Sequence, residues 1–149
     1  MTRAFARLRP LLLLLLVAFA PAACATVRLV GAYDEKVDQA ATQLQRQMDA
    51  HLTRLESLPA GDAGRAYAPN QQFYLEYGVD LRALEARVSG LPGNTITTQQ
   101  IDLMEGSLEQ LRSTHQTQNN LSTASIGLYR TQFNTAWRAI LAFELAKKR

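Results

Sequence analysis

"EKVDQAATQLQRQMDAHLTRLESL", residues 35–58, decides the fold. Apolar or amphipathic side chains fall at Val37, Ala41, Leu44, Met48, His51, Leu55 and Leu58. The steps alternate between four and three residues, which keeps them on one face of a helix along its whole length. Asp34 stands just before the stretch as an N-cap, where a carboxylate can accept from amides that have no helical partner. Glu35 and Asp38 add negative charge to the first turn, where the helix dipole favours it. Nothing breaks the pattern before Pro59.

Downstream, "LPAGDAGRAYAPN" (residues 58–70) holds two glycines and two prolines and reads as a loop. A second apolar face runs through Phe73, Tyr77, Leu81, Leu84 and Val88. It stops at Gly90 with Pro92 behind it, the usual end of a helix. Thr97 to Gln100 has the T-x-x-Q spacing of a capping box and opens a third face at Ile101, Met104, Leu108, Leu111 and His115. "QTQNN" reads as a polar turn. Ser122 then caps a fourth helix with Ile126, Tyr129, Phe133, Trp137, Ile140 and Glu144 on its face.

Four amphipathic helices without a strand signal predict an all-α fold, an antiparallel up-down four-helix bundle after an N-terminal signal segment. The first connection is longer than the roughly 2–8 residues usual in bundles, which makes it a candidate place for function. No internal repeat is evident, which argues against a solenoid.

Upstream, Arg3, Arg7 and Arg9 precede "LLLLLLVAFAPAAC" (residues 11–24). A basic head, a short apolar run and a small-residue zone describe a secretory signal. The run falls short of the roughly 20 residues of a spanning helix. Cys24 is the chain's one cysteine, whereas exported proteins normally use cysteines in disulfide pairs. It directly follows Ala22 and Ala23, and this arrangement resembles a bacterial lipobox, with Pro21 where that pattern usually has an aliphatic residue. The expected organisation is a lipoprotein signal peptide at 1–23, a lipidated tether at 24–33 and a bundle domain at 34–149. Lipid on Cys24 would anchor the chain at the cell envelope. Ala25 and Thr26 after the cysteine resemble the outer-membrane sorting pattern, with the domain facing the periplasm.

The whole 149-residue chain has 16 basic and 13 acidic residues, and the three excess charges are the signal's arginines. Without them the balance is even, so the mature chain lacks the basic stripe of a nucleic-acid binder. The cluster Lys147-Lys148-Arg149 suits a helix C-terminus.

Polar residues on the apolar faces are the candidate sites. In an up-down bundle, His51 and His115 fall toward the same end. That raises an alternative reading as a ligand- or metal-binding bundle, because bundle sites are built from inward side chains. Against it, the Glu-x-x-His pairs of di-iron bundles are missing, and helices one and three are expected to be diagonal. No metal or other cofactor is therefore expected. Glu144 lies near a helix C-terminus, where Lys147 and Lys148, three and four residues on, can pair with it. Tyr67, Phe73, Tyr74 and Tyr77 concentrate beside the long loop. They are expected to line the junction of loop and bundle, with a partner-binding patch as the alternative. G-x-S-x-G, H-E-x-x-H and phosphate-binding glycine loops are absent, so no enzyme activity is expected.

The blocks "YDEKVDQAATQLQRQMDAHL", "NQQFYLEYGVDLRALEAR" and "FNTAWRAILAFELAKKR" resemble those of small bacterial envelope lipoproteins. The resemblance implies export, anchoring and helicity, and it assigns no catalytic residue. The expected function is a lipid-anchored binding or structural module for a protein partner in the envelope.

Overall fold

The computed structural model describes residues 30–148. The expected signal segment, Cys24, the expected tether up to residue 29 and Arg149 lie outside the described residues. Four helices form the fold: α1 Glu35–Ser57, α2 Tyr67–Ser89, α3 Thr95–Gln118 and α4 Thr123–Ala146. They alternate in direction as an up-down-up-down bundle. α1 packs most extensively on α4, and α2 on α3, so α1 and α3 lie across a diagonal.

The apolar faces close on one another. Val37, Ala41, Leu44, Met48 and Leu55 of α1 are buried, as are Leu81, Leu84 and Val88 of α2. From α3 and α4 they meet Ile101, Met104, Leu111, Ile126, Phe133 and Ile140. Each of these side chains larger than alanine contributes roughly 1.5–3 kcal/mol on leaving water. Trp137 fills the centre, and its indole N–H donates to the Tyr77 hydroxyl across the other diagonal at 3.0 Å. A polar tip inside an apolar body needs such a partner.

The caps explain where α1 and α4 begin. The Asp34 carboxylate accepts from the amides of Lys36 and Val37, and the Ser122 hydroxyl accepts from the amide of Ser125. Three boundaries differ from the sequence reading. α2 begins at Tyr67, earlier than the loop reading allowed, with Pro69 in its first turn. Proline is tolerated there because the first amides of a helix have no intrahelical acceptor. α3 begins at Thr95 after Asn94, so Thr97 is a buried residue inside the first turn rather than the cap of a box. "QTQ" continues α3, which ends only where Asn119 enters the left-handed region at φ 55°. The first connection thus shortens to residues 58–66 and contains a single 3-10 turn, Ala63–Arg65.

Candidate functional site

The polar residues on the apolar faces gather at the two ends of the bundle. At the end bearing the 58–66 loop, the chain turns back beneath the C-terminus of α1. This places Arg65 inside, 1% exposed. Its Nε donates to the Leu55 carbonyl at 2.7 Å and its Nη2 to the Glu56 carbonyl at 3.1 Å. The Thr123 hydroxyl accepts from both Nη atoms at 3.3 Å. A buried guanidinium is thereby held by the carbonyls that close α1, where the helix dipole places partial negative charge. Asn70 secures the return of the chain. Its amide donates to the carbonyls of Gly64 (2.9 Å) and Ala66 (2.6 Å), and its oxygen accepts from Arg54.

His115 of α3 sits behind this turn with no exposed surface. Its Nε2 lies 2.7 Å from the Arg65 carbonyl and its Nδ1 lies 2.7 Å from the Tyr74 hydroxyl. A carbonyl only accepts, so Nε2 carries the proton, Nδ1 is bare, and Tyr74 donates to it. One neutral imidazole therefore ties together α2, α3 and the loop. His51 lies on the other side of Tyr74. It stacks on Phe73 with ring centres 3.6 Å apart and planes 3° apart, and it meets Tyr74 edge-on at 5.7 Å. The Nε2 of His51 is buried without a hydrogen-bond partner.

Burial pushes both histidines below the ordinary value of 6.5. His51 falls to about 3, with the nearby Arg54 charge and His115 adding to the effect of burial. For His115 burial dominates, and the bond to the Arg65 carbonyl partly opposes it. Burial also raises Tyr74 and Tyr77, so both stay protonated as donors. Below about pH 6.5 the unfolded chain takes up protons that the folded chain refuses, and stability falls with pH. Each histidine contributes a slope of up to about 1.4 kcal/mol per pH unit, which for His51 persists to about pH 3. Urea unfolding from pH 8 to pH 5 should show this decline, and a flat profile would contradict the buried neutral imidazoles.

The two histidines thus share an end, as the sequence suggests, but Tyr74 stands between them. Among the described residues, no group of three or more His, Cys, Asp and Glu side chains is placed to hold a metal ion. The expected aromatic patch splits: Tyr74 and Tyr77 are core residues, 2% and 1% exposed, while Tyr67 and Phe73 are only partly buried. Tyr74 and Tyr77 therefore support the surface from beneath, and Tyr67 and Phe73 alone of the four keep area for a partner.

At the opposite end, Glu144 is buried and paired with Lys147, three residues on. Thr97 donates to the same carboxylate oxygen at 2.6 Å, and the lysine also donates to Asn94 (2.7 Å) and Thr97 (3.1 Å). Lys148, the other lysine expected near Glu144, lies over the Tyr33 ring instead, and Arg87 at the same end pairs with Asp34. Half-exposed Arg130 bridges α4 to Asp49 and Glu56 of α1. His115 is enclosed, and the Glu144 carboxylate pairs with Lys147 through the same oxygen that accepts from Thr97. Arg65 and Asn70 went unseen in the sequence, because a polar residue in a stretch that reads as a loop carries no periodic signal of burial. Compared with protein-family models, curated proteins and solved structures, the chain has a match in none.

Proposed function

We propose that this chain is an envelope lipoprotein of bacterial type. It is a helical bundle anchored through lipid on Cys24, at the outer membrane and facing the periplasm. It acts without catalysis, as a binding or structural module for a protein partner. The observation that carries the reading is the position of the lone Cys24, immediately after Ala22-Ala23 and the apolar run behind a basic head. Two or more acyl chains, at about 0.8 kcal/mol per buried methylene, are enough for stable anchoring. The bundle supports a surface role because large side chains such as Trp137, Tyr77 and Phe133 occupy its centre. What it offers a partner is its outside, with the 58–66 loop, Tyr67 and Phe73 as the shaped part.

Cys24→Ser is the test. The unaltered protein should enter the detergent phase, and its mature N-terminus should carry the mass of a diacylglycerol-modified cysteine. The variant should stay unprocessed or be released into the aqueous phase. A variant that is processed normally and remains membrane-bound would contradict the anchor.

A further inference from the structure

The residues that lead from the tether into α1 are fastened to one end of the bundle. The Gly31 amide donates to the Gly93 carbonyl at 2.9 Å, in the turn between α2 and α3. The two backbones approach too closely for side chains. A Cβ on Gly31 would lie 2.4 Å from the Asn94 Oδ1 and 2.8 Å from the Pro92 carbonyl. A Cβ on Gly93, where φ is 78°, would lie 2.7 Å from the Gly31 amide nitrogen. Further on, Tyr33 donates to Asp38 at 2.7 Å and lies beneath the Lys148 ammonium, while Asp34 pairs with Arg87 at the end of α2. The chain therefore joins the bundle as a strap bound to α1, the end of α2, the α2–α3 turn and the C-terminus of α4.

We infer that this strap fixes the domain's orientation: the end built from residues 30–34, the Gly93 turn and Lys148 faces the lipid surface, and the 58–66 loop points away from it. The inference rests on the anchor reading of Cys24. Only residues 25–29 then separate the lipidated cysteine from Val30. Fully extended, the steps from Cys24 to Val30 reach about 20 Å. The bundle is longer than that, since helices of 23 or 24 residues run about 35 Å. With its entry point pinned at one end, the domain can lean but cannot bring the loop end to the membrane as easily as the strap end. The charges at the strap end are mixed, with Asp34 and Asp38 beside Arg87 and Lys148, so chain length and the pinned strap set the orientation rather than attraction to anionic lipid. The surface offered to a periplasmic protein is then the loop end, where Tyr67 and Phe73 lie.

Fluorescence quenching in vesicles tests this. The lipidated full chain, carrying Ser89→Cys or Ala60→Cys, would be labelled at the added thiol. Both positions are exposed, one at the strap end of α2 and one in the loop. Each protein would be reconstituted into phosphatidylethanolamine–phosphatidylglycerol vesicles containing a lipid with a quencher on its headgroup. Quenching should be several-fold stronger at position 89 than at position 60. Adding Gly31→Val should reduce that difference while vesicle binding and helicity persist. Binding with equal quenching at the two sites, or with the order reversed, would overturn the orientation and leave the anchor intact. Failure to bind vesicles at all would overturn the anchor reading, and the orientation with it.

Discussion

Arg65→Ala should destabilise the bundle by about 2–4 kcal/mol, because hydrogen bonds from a buried charged donor are worth roughly 1.5–3 kcal/mol each and the side chain's packing is lost with them. The side chain is 1% exposed and closes α1 by donating to the carbonyls of Leu55 and Glu56. Its loss leaves the Leu55 carbonyl with only the Leu58 amide, takes the guanidinium from the Glu56 carbonyl and the Thr123 hydroxyl, and opens a cavity beneath the loop. It also loosens the Arg65 carbonyl that holds the His115 proton. A domain of this size has roughly 5–15 kcal/mol of stability in total, so the loss should be plain in equilibrium urea unfolding. Arg65→Lys should fall between the two, because it keeps the charge but not the planar fork that reaches successive carbonyls. A change under about 1 kcal/mol for Arg65→Ala would mean that the chain does not turn back beneath α1.

The second large effect belongs to the opposite end. Glu144→Ala should cost about 3–5 kcal/mol because it leaves a buried ammonium without its carboxylate. Both side chains of the pair are 1% exposed, so water cannot replace the lost partner without local opening. Asn94 and Thr97 would still accept from Lys147, but neither carries compensating charge. The double variant Glu144→Leu with Lys147→Met should recover most of the loss, since a buried ion pair replaced by apolar groups of similar volume is often neutral or stabilising. Urea unfolding of the single and double variants measures both terms. Equal losses in the two would mean that packing, rather than the unpaired charge, sets the cost.

The fold was legible because its code is local. Residues such as Leu44, Met48, Leu81, Leu111 and Trp137 lie on periodic faces, and all are buried. Leu52 and Leu121 escaped that reading. The first stands beside the narrow stripe rather than on it, and the second is buried from the α3–α4 turn. Pro69 misplaced the start of α2 because proline marks loops and first turns alike. Thr97 and Gln100 matched a capping box by spacing, yet α3 had already begun at Thr95 and Thr97 was recruited by Glu144. The ends of the bundle were the least legible. His115 could be placed on a stripe, but its bonds to Tyr74 and the Arg65 carbonyl join residues 41 and 50 positions away. Pairings across such separations leave no periodic trace.

If the proposal holds, the buried polar side chains serve the fold and the function lies on the surface. Ring-nitrogen NMR of His115 and His51, followed against pH and added zinc, tests it most directly. His115 should be the neutral tautomer protonated on Nε2, with both rings predominantly uncharged at about pH 6.5, where an exposed histidine is half protonated. Neither ring should respond to stoichiometric zinc. Titration of both rings near the ordinary value, or a matched shift of the two with one equivalent of zinc, would contradict the claim and make this end of the bundle a ligand site.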